Sequence, residues 1–147
     1  MPLFSLLYVS RTRVGAAALE YEAGRILSVA ISRNASLGVT GCLVSTERYF
    51  AQVLEGDPDA LRELMASIET DERHDEVHTI EFHEVDKRLF PTWSMGYVGH
   101  SRYIQRFLEP LHGASVPDRE RARQVRRLVE LMVELSSTES SSMAAEP

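Results

Sequence analysis

The stretch YFAQVLEGDP at residues 49–58 decides the reading of this chain. In an extended strand alternate side chains share a face, so Phe50, Gln52 and Leu54 point one way and Tyr49, Ala51 and Val53 the other. Both faces are apolar except for one carboxamide, Gln52. A buried amide without partners costs about 1–3 kcal/mol, so Gln52 needs something to bond. The strand ends at EGDP, where Asp57 is a good N-cap and Pro58 a good first helical residue. The helix that follows buries a stripe of Leu61, Leu64, Met65 and Ile68.

Upstream, residues 39–45 form a second β-branched and apolar run, and TER at 46–48 makes the pair a hairpin. Apolar residues at 19, 23, 26, 27, 30 and 31 recur with helical period, and NASLG supplies the stop. LFSLLYV at 3–9 is a short buried strand. Downstream, residues 77–85 alternate as a strand, with the charge-rich DERHDE at 71–76 as the loop before it. KRLFPTW interrupts, and SMGYVG forms a last strand. The order βαββαβ plus one strand predicts an α+β ferredoxin-like sandwich, a five-stranded mixed sheet with two helices on one face. Two C-terminal helices follow, one over 102–111 and one starting at Pro117 and Asp118. The second carries a stripe of Val125, Leu128, Val129, Met132 and Leu135. That stripe serves either the sheet's open face or a homodimer or larger assembly. The expected organisation is a domain at 1–99, a helical extension at 100–136 and a disordered tail at 137–147, where small polar residues dominate.

Composition narrows the function. The chain has 147 residues, 44% hydrophobic and 26% charged, which suits one globular domain with a short appendage. No apolar run reaches the roughly 20 residues of a membrane-spanning helix. No signal peptide is expected, and the single cysteine, Cys42, forms no internal disulfide, so a cytoplasmic location is expected. A net charge of −6 argues against nucleic-acid binding, despite the run RERARQVRR at 119–127. The five histidines show no metal-site spacing, and no nucleophile-elbow, phosphate-loop or dinucleotide motif is present.

More informative are polar residues set in apolar elements: Tyr8, Asn34, Gln52 and Asp71. Each has a local explanation, as a rim hydroxyl, a helix end or an edge-strand amide. In a ferredoxin-like sandwich they converge between helices and strands, where donors and acceptors in an apolar slot fit a planar polar ligand.

At residues 2–99 the sequence resembles the BLUF family, flavin-binding sensors of blue light. The resemblance is carried by LLYVS with Tyr8, RNASLGVTGCLV with Asn34, YFAQVLEGD with Gln52, SIETDERH, and RLFPTWSMGY with Trp93 and Met95. It implies FAD, with FMN or riboflavin as alternatives, held between the two helices. Asn34 would meet the ring's polar edge, and Gln52 both the ring and the Tyr8 hydroxyl. Ile26, Phe50 and Ile68 would pack around the ring, and Asp71, Arg73 and His74 would lie towards its side chain. Arg33 and Ser67 depart from what many relatives carry; Arg33 or Arg73 would supply a positive charge. The implied mechanism is photochemical rather than enzymatic: Tyr8 gives an electron and a proton, and the Gln52 amide rotates or tautomerises. Photoactive residues would be Tyr8, Gln52, Trp93 and Met95. The signal would pass through the last strand and C-terminal helices to a downstream partner protein. The competing expectations are a flavin-dependent redox enzyme and a ferredoxin-like interaction module without cofactor.

Overall fold

A computed structural model describes residues 2–92, 95–99, 102–113 and 118–144; the side chains of 118 and 137–144 are not described. Among the described residues five strands and four α-helices follow in the expected order: β1 Phe4–Thr12, α1 Leu19–Leu37, β2 Thr40–Ser45, β3 Tyr49–Gly56, α2 Pro58–Glu69, β4 His74–Glu84, β5 Gly96–Gly99, α3 Arg102–His112 and α4 Asp118–Ala144. The sheet order is β4-β1-β3-β2-β5, antiparallel throughout except for the parallel pair β2–β5. That parallel edge makes the sheet mixed.

The sheet is covered on both faces. One face carries α1 and α2 over Leu6, Tyr8, Leu43, Phe50 and Leu54. The other carries α3 and α4, whose Ile104, Leu108, Leu111, Val125, Leu128 and Met132 pack on Leu7, Val9, Cys42, Val44, Ala51, Val53 and Val98. The α4 stripe is therefore buried within the chain itself, and no longer argues for an oligomer. Strand period two gives β1 and β3 both cores at once.

Local chemistry sets the element ends. Asp57 has extended backbone and its Oδ2 accepts from the Asp59 and Ala60 amides at 3.0 and 3.3 Å. Asp57→Ala should lower stability by about 0.5–2 kcal/mol with an unchanged fold, measured by urea unfolding. Gly38 ends α1 at φ +67°, a left-handed conformation costly for other residues. At Gly41 a Cβ would collide with the Val53 carbonyl, so glycine lets β2 lie close to β3.

Three features differ from the sequence reading. β4 starts at His74, inside the segment read as a loop, because Thr12 and Arg11 pair with His74 and Asp75. The strand bulges at Glu76, a non-glycine residue at φ +48°, with Arg11 within 3.5 Å of Asp75 and 3.7 Å of Glu76. Helix α4 continues to Ala144 through most of the segment expected to be a disordered tail. Extending a formed helix needs no new nucleus, which offsets a polar composition. Ile31, expected on the buried stripe of α1, is 48% exposed because the stripe runs through 19, 23, 30 and 34.

The end of α3 is fastened to β4. His78 and His112 stack with ring centroids 4.5 Å apart. His78 Nδ1 lies 3.1 Å from the His112 carbonyl, and His112 Nε2 2.9 Å from the Glu76 carbonyl. Among the described residues no helix is long and apolar enough to cross a membrane, and no group of three or more metal-ligating side chains converges.

Candidate functional site

Between α1, α2 and the sheet lies a cleft of about 220 Å³. Its floor is the central strands. Tyr8 on β1 and Leu43 on β2 flank Gln52 on β3 in direct register. Tyr8 Oη donates to Gln52 Oε1 at 2.6 Å, and Gln52 Nε2 lies 3.4 Å from Met95 Sδ. Tyr8 is 3% and Gln52 3% exposed. The amide anomaly in β3 thus has two partners, a phenol and a thioether. Burial, reinforced by the Asp71 charge, pushes the Tyr8 hydroxyl well above its ordinary range. The phenol therefore keeps its proton at neutral pH and acts as a donor.

The walls come from the helices. From α1, Ile26, Val29, Ala30, Arg33 and Asn34 line the cleft; from α2, Leu64, Ser67 and Ile68 do so. Asn34 is 1% exposed, one helical turn beyond Ala30 on the buried face. Arg33 Nη1 donates to Ser67 Oγ at 3.2 Å, joining the two helices. Its Nε is buried and has no hydrogen-bond partner among the described residues.

His74 closes the inner end. Its Nδ1 lies 2.6 Å from Ser10 Oγ and its Nε2 2.6 Å from the Ile68 carbonyl. The carbonyl only accepts, so Nε2 carries the hydrogen and, in the neutral ring, Nδ1 accepts from Ser10. At the mouth Asp71 takes a forked pair from Arg73, with Nε to Oδ1 at 2.9 Å and Nη2 to Oδ2 at 2.8 Å. Arg73 also reaches Glu22 of α1 at 3.5 Å.

The Arg73 hydrogen bonds hold the Asp71 carboxyl below its usual range, against the opposing effect of burial. A folded-state value below the unfolded one means stabilisation that is complete above about pH 4 and vanishes as pH falls through the lowered value. Asp71→Asn should therefore be less stable than the parent near pH 7, by about 1 kcal/mol or less. The gap should narrow as pH falls below about 4, in urea unfolding at each pH.

All ten residues expected to bind the cofactor line this one cleft. Met95, just before β5, reaches Gln52 without itself lining the cleft, and Trp93 lies outside the described residues. Sequence reading missed Val29, Ala30, Leu43 and Leu64. Leu43 was hidden by register: the three-residue hairpin loop alone would set it opposite Ala51, whereas Ser45 pairs with Phe50 and so brings Leu43 opposite Gln52. The Ser10–His74 bond had no local signal, because the partners are 64 residues apart.

A family model described as sensors of blue-light using FAD matches residues 3–96, more than half of the chain. The chain belongs to the BLUF family. BLUF domains bind flavin and sense blue light. The chain is 34% identical over 94 residues to the photoactivated adenylate cyclase subunit beta of Euglena longa, a match covering 63% of this chain and 11% of that protein. It thus spans about a tenth of the length of that curated relative. Among solved structures it is similar to BlrB, a BLUF protein in its dark state, with TM-score 0.69, 29% identity, and coverage of 87% of this chain and 95% of that one. BlrP1 of Klebsiella pneumoniae, solved with FMN and cyclic diGMP, matches with TM-score 0.63 and 28% identity over 90% of this chain and 34% of that one.

The residues present fit a flavin on their own chemistry. Ile26, Leu54, Leu64 and Ile68 give apolar walls for a flat ring system. Asn34 and Gln52 offer carboxamides, each both donor and acceptor, as the edge of a uracil-like ring requires. The orphaned Arg33 Nε–H adds a buried donor that calls for an acceptor from a ligand.

Proposed function

We propose that this chain is a photoreceptor whose switch is the Gln52 carboxamide, turned by electron and proton loss from Tyr8. The observation that carries this reading is the buried Tyr8–Gln52–Met95 chain, whose Tyr8 and Gln52 form part of the cleft floor. Asn34, Gln52 and Arg33 would hold the ring's polar edge. Ile26, Phe50 and Ile68 would pack on it, and Asp71, Arg73 and His74 would stand towards its side chain at the cleft's ends. FAD is the flavin proposed.

A bound flavin would supply blue-light absorption and, when excited, a one-electron oxidant. Tyr8 is the donor because a phenol gives up an electron more readily than any other group on the cleft wall. Its hydroxyl proton then becomes acidic and would pass by way of the Gln52 amide to the same ring that holds the electron. Once Tyr8 Oη no longer donates, Gln52 Oε1 loses its hydrogen bond, and the amide is free to turn and present Nε2–H to the phenol oxygen. A phenol both donates and accepts, so the pair is bonded in either amide orientation. Met95 Sδ can only accept, so turning Nε2 away breaks that contact. Electron and proton return to Tyr8, leaving no net oxidation and only the hydrogen bonds changed.

Met95 adjoins β5, which packs on α4, so the lost contact has a route to the C-terminal helices. The output would go to a downstream protein rather than to a substrate, and the location proposed is cytoplasmic, in keeping with one free buried cysteine. The test is a light-minus-dark absorption spectrum of the protein reconstituted with FAD. A reversible shift to longer wavelength is expected. A protein that takes up no flavin would sink the proposal, and a flavoprotein without the shift would point to redox turnover.

A further inference from the structure

The connection between β4 and β5 has to cross the whole sheet, because those strands lie at opposite edges. Four strand spacings amount to roughly 19 Å, whereas the eleven residues from 85 to 95 reach roughly 36 Å when extended. With that slack, length alone does not fix where Met95 arrives at Gln52. The connection is instead fastened along one end of the sheet. The Val85 amide donates to the Leu3 carbonyl at 2.9 Å. Arg88 Nη1 donates to Thr40 Oγ1 at 2.8 Å and to the Glu55 carbonyl at 2.9 Å, while Nη2 reaches the Gly38 carbonyl at 2.9 Å.

At the centre sits a carboxylate outside the flavin cleft. Glu55 is 1% exposed, and both its oxygens are engaged. Oε2 accepts from the Leu89 amide at 2.6 Å, and Oε1 from the Phe90 amide at 2.9 Å, with Thr40 Oγ1 at 3.3 Å. Strand alternation turns Glu55 away from Gln52, towards the core in which Phe90 is fully buried. The connection therefore meets β3 twice, at Glu55 on one face and, through Met95, at Gln52 on the other.

We infer that Glu55 is a positioning residue for the switch: it fixes the β4–β5 connection to β3 and so sets the Met95 sulfur against the Gln52 amide. The inference rests on the proposed Gln52 switch. When the amide turns, the Glu55 end stays fixed and the Met95 end is released.

The test uses the full chain loaded with FAD, as wild type, Glu55→Gln, Met95→Ala and the double variant. The lifetime of the red-shifted state is measured, together with amide exchange at Leu89 and Phe90 in dark and light. Glutamine keeps the shape of Glu55 but offers one acceptor oxygen, so one of the two amides loses its partner. Expected are faster exchange at Leu89 or Phe90 and a lifetime changed at least five-fold in the same direction as in Met95→Ala. The double variant should be no further changed than the stronger single one, since both act on the same contact. A wild-type lifetime in Glu55→Gln, or effects that multiply in the double variant, would overturn the inference while leaving the switch standing. A wild-type protein without any red shift would overturn both. If Glu55→Gln does not fold, Arg88→Gln loosens the same connection from its outer end, with a two- to three-fold lifetime change expected and none counting against.

Discussion

Gln52→Leu should give a folded, yellow protein with no reversible red shift under blue light. Leucine nearly matches glutamine in volume and joins Phe50 and Leu54 on the same strand face, so β3 and the cleft floor persist. Two contacts disappear, the acceptor for Tyr8 Oη and the donor towards Met95 Sδ. The buried Tyr8 hydroxyl is left without its acceptor, which costs about 1–3 kcal/mol of stability and leaves a melting temperature several degrees lower. The photochemical loss is complete rather than partial, because leucine has no atom that can exchange donor for acceptor. Electron loss from Tyr8 then has no amide to turn, and the ring edge feels the same surroundings after the cycle as before. The measurement is the light-minus-dark spectrum, with bound flavin quantified so that an empty cleft is not mistaken for a silent one. A full-sized shift in this variant would remove Gln52 from the mechanism.

Much of this was readable because the informative features are local. Asp57 and Pro58 announce a helix through the geometry of a single turn, and the structure places the cap there. Gln52 was legible as a problem, an amide among apolar neighbours, but not as a solution. Its partners lie 44 and 43 residues away, and only the sheet order brings them together. The same limit hid the start of β4, where charged residues read as a loop until Arg11 and Ser10 of β1 supply partners for Asp75 and His74. Glu55 is the clearest failure of pattern reading. The pattern ends the strand before it, at EGDP, yet it belongs to β3 and its carboxylate is buried against backbone amides of a connection whose course no periodicity reveals. The α4 stripe was legible as a stripe, but its destination depended on whether the open face of the sheet was already covered.

Leu128→Ala should destabilise the entire domain by about 2–5 kcal/mol, out of a total stability expected to be about 5–15 kcal/mol. Leu128 is completely buried in the core that α3 and α4 make with β1, β2, β3 and β5. The two cores share their strands: Leu7 faces α4 while Tyr8 faces the cleft, and Val53 faces α4 while Gln52 faces the cleft. A cavity under α4 therefore weakens the same backbone that holds the Tyr8–Gln52 pair. Release of flavin and loss of helix signal should coincide in one transition, shifted equally by the substitution. The midpoint should not depend on protein concentration, since the stripe is satisfied within one chain, whereas an intersubunit stripe would raise the midpoint as concentration rises. Thermal melts followed by flavin absorbance and far-ultraviolet dichroism, at two concentrations tenfold apart, separate these outcomes. Two separate transitions, or a midpoint that climbs with concentration, would mean that α4 belongs to an interface rather than to the sheet beneath it.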